Sequence, residues 1–313
     1  MFRDWDTYFA RYCKVGGVIE AVPMCAPGHV GKPSVSFFIE PHGNVEFKGS
    51  YDKFEATKFV NAGIFYPQTN IAPDKVFETA MKVGKHLYSK GVMGHVTVDF
   101  VSFMDAQNKP QYWAVDINQY LTDNSSICSL FMTLTEGEFN QRTGEYEIEV
   151  IERAHSPEKS TPEKQKKPTP EKKGTEKDII KAVKKAEEQT KQETHVEPRT
   201  FMFCSMLHHP GLATLAFDTF FHMCRLENVQ FDIFKRLGTS FVLFDAMQAS
   251  MFGLMTVGVH RRQAVKTMMQ GLDFLQNQAG QIPAHVTLDK GFDSCQICDV
   301  YATVRSINRA MEN

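Results

Sequence analysis

Between Glu152 and Arg199 the chain runs 48 residues without one aromatic side chain, yet holds 13 of its 35 Lys and Arg and 10 of its 37 Asp and Glu. A stretch with so little apolar surface cannot offset its own ordering entropy by burial. It therefore reads as a disordered charged linker, net +3, and divides the 313 residues into a globular part at 1–151 and another at 200–313. Ser156-Pro157-Glu158-Lys159, Thr161-Pro162-Glu163-Lys164 and Thr169-Pro170-Glu171-Lys172 form an imperfect repeat within it. Its hydroxyl-proline pairs are candidate phosphorylation sites, each adding about −1.5 to −2 charges, against the plainer reading of a solvated tether. Asp178 to Gln192 has the spacing of a short helix without a strong apolar face.

Outside the linker, 42% hydrophobic residues over the whole chain suffice to bury real cores. The formal charge of −2 gives no bulk attraction for nucleic acid, and no membrane partner is indicated. No run approaches the roughly 18 apolar residues of a spanning helix. The opening Met1-Phe2-Arg3-Asp4-Trp5-Asp6 carries acids and no apolar leader core, so the expected compartment is the cytoplasm. Seven scattered cysteines suit reduced thiols. Cys295 and Cys298 have metal or redox spacing, but no second pair, and they fall where Asp293 to Met311 reads as a helix.

The first part alternates strand and helix signals. A helix at Asp4–Lys14 is followed by a short apolar strand, Val18–Val22, interrupted by Glu20. A hairpin joins Ser34–Glu40 to Asn44–Ser50 through Pro41-His42-Gly43, and a strand follows at Ala62–Tyr66. Pro73-Asp74 opens a helix through Lys90 that Gly91 ends. Strands at His95–Phe103 and Gln111–Asn118 are expected in the sheet centre, with an apolar helix from Ile127 to Leu134 after them. Alternation places Asp116 and Asn118 on one face with Val115 and Ile117 in the core, and brings Asp99 to the same end of the sheet. Three oxygen donors so placed form a candidate magnesium-nucleotide site; the competing reading is acids at strand ends meeting solvent. The second part reads as strands at 201–206, 228–234, 241–246 and 252–257 with helices at 211–227 and 261–278, a small α/β unit docked on the first. His208-His209 reads as ordinary loop histidines, and the methionines at 251, 255, 268 and 269 as core filler.

The blocks Gly16–Ala21, Pro33-Ser34-Val35, Ile39–Gly43, Gly91–His95 with Val98-Asp99-Phe100, and Ala114–Asn118 stand in the order of the carboxy-terminal lobe of ATP-grasp proteins, which this chain resembles. They resemble more closely the carboxy-terminal region of the IQ motif-containing protein H family, a likeness that continues into Phe217–Arg225 and Gly238–Asp245. The resemblance implies an α+β fold with a mixed or antiparallel sheet and packed helices. It implies that Asp99 is the first acidic metal ligand, that Asp116 and Asn118 match the Glu-x-Asn pair holding magnesium on ATP phosphates, and that Ile19, Glu20, Ala21 and Val22 meet adenine through their backbone. Three departures stand out. Asp116 is one methylene short of the family's Glu, Tyr120 stands where an arginine steadies the transition state, and Thr97 stands where a basic residue is common. Phosphoryl transfer rests on positioning and charge stabilisation, so the implied function is a non-catalytic binding or assembly module, a pseudoenzyme, with ATP and magnesium binding weak or lost. Protein partners and a role in sperm or cilia are implied by the resemblance. Calmodulin is a partner of the family, yet no IQ motif stands in this chain. The alternative is an active ATP-dependent ligase whose amino-terminal lobe lies elsewhere.

Overall fold

The computed structural model describes residues 3–19, 21–24, 30–57, 60–151, 194–242, 244–279 and 295–312. The elements are, in chain order, α1 (Trp5–Val15), β1 (Pro33–Ile39), β2 (Val45–Thr57), β3 (Val60–Tyr66), α2 (Pro73–Ser89), β4 (Gly94–Met104), β5 (Pro110–Asn118), α3 (Asp123–Thr135), β6 (Glu138–Asn140) and β7 (Glu145–Ile151). They continue with β8 (Thr194–His208), α4 (Phe217–Leu226), β9 (Phe231–Asp232), β10 (Leu237–Val242), β11 (Met251–Gly258), α5 (Arg261–Ala279), β12 (Cys295–Gln296) and α6 (Ile297–Glu312).

Local chemistry accounts for the elements that frame the site. Gly43 at φ +91 closes the β1–β2 hairpin, its N–H donating to the Glu40 carbonyl, a conformation open to glycine. Pro73 fits the first turn of α2, where the missing N–H costs nothing, and Val76, Ala80 and Gly84 bury one stripe four residues apart. Thr122 caps α3 by accepting from the Ser125 N–H at 3.3 Å.

The strands join into one connected sheet in the order β5-β4-β1-β2-β3-β8-β11-β10-β9, almost wholly antiparallel; β7 and β12 add to β8 and β6 to β7. The fold is α+β, as expected. β8 is the joint between the two parts. Its Phe201–Cys204 stretch pairs with β3 and, on the other side, with β11, while Thr194–Arg199 pairs with β7. Gly63 makes the β3–β8 approach possible, since a Cβ there would lie 1.8 Å from the Phe203 carbonyl oxygen. One core lies under α2 around Phe37, Val96 and Val98. A second lies under α3 around Tyr66, Phe131 and Phe201. The third is closed by α5 and α6 around Met268, Leu272, Val300 and Val304. Met255 and Met268 are fully buried core residues.

Several expectations need correcting. β5 is an edge strand rather than a central one, so Val115 and Ile117 are exposed, at 43% and 45%, and not in the core. An apolar alternation fixes which residues share a face, but not whether another layer covers that face. Val18, Ile19, Ala21 and Val22 form no strand, because this short run between Gly17 and Pro23 acquires no neighbouring ladder; Glu20 lies outside the described residues. The segment at 211–227 divides into a short 3-10 turn, Pro210–Thr214, and α4. Only Phe231–Asp232 of 228–234 is a strand. The strand expected at 241–246 begins earlier, at Leu237, and stops at Val242. Residues 194–199, read as the end of the linker, begin β8. The remainder of the linker, with its repeats and the helix at 178–192, lies outside the described residues.

Candidate functional site

β4 and β5 run antiparallel with Asp99 opposite Asp116 and Thr97 opposite Asn118, and an irregularity in register follows directly after Asp99. That pairing brings the three predicted oxygen donors together. The Asn118 amide donates to Asp116 Oδ2 at 3.1 Å and, at 3.5 Å, to Asp99 Oδ2. Asp116 Oδ1 also accepts from the Ile117 N–H at 2.9 Å. Around them lies a cavity of about 330 Å³, lined also by Tyr51, Lys53, Asn61, Tyr120, Asp123 and Ser205.

Asp99 is the most enclosed of the acids, its side chain 16% exposed. Ser34 of β1 donates its hydroxyl to Oδ1 at 2.6 Å, and the Lys53 ammonium of β2 lies 2.6 Å from Oδ2. Sequence reasoning missed Lys53 because it ended the second hairpin strand at Ser50. The strand continues to Thr57, and period-two alternation then carries Tyr51 and Lys53 to one face together. Burial pushes the Tyr51 hydroxyl far above its ordinary pKa, helped by the neighbouring Cys128 thiol, so the cavity floor stays neutral. The Tyr51 hydroxyl lies 3.3 Å from the Ser36 hydroxyl.

The two positions where cations are implied but missing are now placed. Thr97 is buried, its hydroxyl 2.8 Å from Ser36 and 3.3 Å from Thr122, in a chain of neutral hydroxyls. Tyr120 lines the cavity but is 61% exposed. Ile19, Ala21 and Val22 do not line the cavity, and all three are exposed.

In donor type the triad fits magnesium, a hard ion that takes one or two carboxylates and fills its octahedron with phosphate and water oxygens. One feature of the geometry works against it. Asn118 presents its NH2 to both carboxylates, and its amide would have to turn over to offer an oxygen.

Elsewhere, His209 Nδ1 accepts from the Gly211 N–H at 3.1 Å and closes the Pro210 turn, the ordinary loop role expected of it. Burial, then His208, lowers the His209 pKa. Cys298 is exposed on α6, while the Cys295 side chain lies outside the described residues. Among the described residues no helix is long and apolar enough to cross a membrane.

Residues 1–142 match the family model described as IQCH-like, ATP-grasp. The chain is 24% identical to IQ motif-containing protein H of Danio rerio over 279 residues, which cover 88% of this chain and 22% of that protein. The likeness read from the residue blocks is thereby borne out, and the chain spans about a fifth of its curated relative. Among solved structures it is similar to a biotin carboxylase–beta-gamma-ATP complex from Campylobacter jejuni, at 10% identity and TM-score 0.40, covering 78% of this chain and 45% of that one. It is also similar to an N5-carboxyaminoimidazole synthetase from Staphylococcus aureus, at 13% identity and TM-score 0.37, covering 76% and 48%.

Proposed function

We propose that this chain, whose residues 1–142 carry the IQCH-like ATP-grasp pattern, is a binding or assembly module that does not turn ATP over and binds magnesium-nucleotide weakly at Asp99, Asp116 and Asn118. The observation carrying this reading is the replacement of cationic positions by neutral hydroxyls. Thr97 spends its hydroxyl on Ser36 and Thr122, and Tyr120 lies largely in solvent. Phosphoryl transfer needs charge stabilisation aimed at the transferring group, and neither side chain supplies it. A bound magnesium would neutralise phosphate charge; Asp99 and Asp116 would hold it, and the neutral Tyr51 floor would limit water beneath.

Isothermal titration of Mg-ATP into the wild type and Asp99→Asn tests the site. Weak heat in the wild type, lost in the variant, is expected; equal heats, or none in either, sink the nucleotide reading. Phosphate release from ATP by the chain would refute the non-catalytic part. The second reading, an active ligase completed by a lobe elsewhere, is favoured by one observation, the 22% coverage of the fish relative; adding that relative's remaining length in trans would then restore ATP consumption. A role in sperm or cilia and protein partners belong to the proposal through the family resemblance, and a cytoplasmic location through the seven scattered cysteines.

A further inference from the structure

The charge pattern of the cavity is set by four groups. Asp99, Asp116 and Asp123 line it with one ammonium, Lys53. That ammonium does not hang free: it lies 2.6 Å from Asp99 Oδ2, with the two side chains 25% and 16% exposed. The other oxygen of Asp99 is taken by Ser34 at 2.6 Å. A magnesium ion coordinated by Asp99 Oδ2 would sit about 2.0–2.1 Å from it. Two cations on one oxygen would then stand only about 4 Å apart, a repulsive arrangement in a half-enclosed site. Lysine is a compact point charge on a four-carbon stem, well suited to fill a cation position and, with its remaining N–H groups, to meet phosphate.

We propose that Lys53 is the resident cation of this cavity, competing with divalent metal for Asp99 and holding metal affinity down. This rests on the metal-triad reading above. It gives the weak binding a cause in this chain's own residues: the site is occupied from within.

The test uses the full chain, with Mn²⁺ alone as the probe, followed by electron paramagnetic resonance of the free ion. Lys53→Met should bind Mn²⁺ at least about tenfold more tightly than the wild type, a change of about 1.4 kcal/mol, while Lys53→Arg, which keeps the charge, stays near the wild-type value. Adding Asp99→Asn to Lys53→Met should abolish the gain. Lys48→Met removes an equal charge from a lysine paired with Glu46 that does not line the cavity, and should leave affinity unchanged. Equal, measurable affinities in wild type and Lys53→Met overturn the competition but leave the triad standing. A gain that survives loss of Asp99, or that Lys48→Met reproduces, overturns it as bulk electrostatics. No Mn²⁺ binding in any variant overturns both the competition and the triad. If Lys53→Met fails to melt cooperatively, the Lys53→Gln variant is titrated in its place and judged by the same outcomes.

Discussion

Asp52 and Asp99 lie on strands of one sheet separated only by β1, and each meets a cation, but they are built for opposite ends. Asp52 points away from its neighbour Lys53 and is held by four donors. It accepts from the Thr69 N–H at 2.9 Å, the Thr69 hydroxyl at 3.3 Å, the Asn70 amide at 2.6 Å and Arg261 Nη2 at 2.7 Å. Arg261 opens α5, also donates to the Pro67 carbonyl, and lies 5.2 Å from the centre of the Phe65 ring. This cluster fastens the second part of the chain to the first. Asp99 has Ser34, Lys53 and a distant Asn118, and faces a cavity. A carboxylate enclosed by four donors fixes structure, whereas one with an open side retains something to bind with.

Breaking the closed cluster should have the largest effect. Asp52→Ala strands Arg261 and three further donors, and should cost about 3 kcal/mol in chemical denaturation, since removing one partner of an enclosed ion pair leaves the other uncompensated. A loss under 1 kcal/mol would erase the contrast with Asp99.

One cooperative unit should span both clusters. Ile151 and Thr194 are partners across the β7–β8 ladder, so replacing residues 152–193 by a four-residue turn should preserve the fold and, if that segment is a tether, raise stability by about 2 kcal/mol, the difference in closure entropy between the two lengths. Loss of a single melting transition in the shortened chain would refute the tether reading of that segment.

Smaller still, Asp99→Asn should change stability by about 1 kcal/mol or less, because Lys53 retains access to water, while removing the Mg-ATP heat. Denaturation and titration on the same sample separate the two effects.

The smallest effect belongs to a third carboxylate, intermediate in character. Glu197 is held below the usual carboxylate range first by its hydrogen bond from His195, then by that from the buried Arg199. A lowered folded-state pKa gives stability that is present above the ordinary carboxylate range and lost as pH falls through the lowered value. Glu197→Gln should therefore flatten the acid limb of the stability profile and converge with the wild type below it. An unchanged limb in melts from pH 3 to 6 would remove Glu197 from this series.

What was legible in the sequence followed the strength of the local signal. Pro73 with Asp74 at one end and Gly91 at the other bounded α2 almost to the residue, and the Pro41-His42-Gly43 turn placed the first hairpin. The stripe Ile297, Val300 and Val304 located α6 from its apolar spacing. The meeting of Asp99, Asp116 and Asn118 was legible because Asp116 and Asn118, two apart on a strand, must share a face. Lys53 was not, since the expected strand stopped at Ser50, and only the pairing of β2 with β1 and β3 carries it on to Thr57. The edge position of β5 was also hidden, because strand order depends on distant partners that no local pattern encodes. The non-strand at 18–22 failed for the same reason, apolar composition without a ladder to join.

The pairing of Ile151 with Thr194 has a practical corollary. A backbone opened between those two residues severs no ladder among the described residues, and the fragments 1–151 and 194–313 present each other with complementary edges, β3 and β7 on one and β8 on the other. The molecule is thus a natural candidate for fragment complementation, in which two separately expressed halves report their encounter by assembling one sheet.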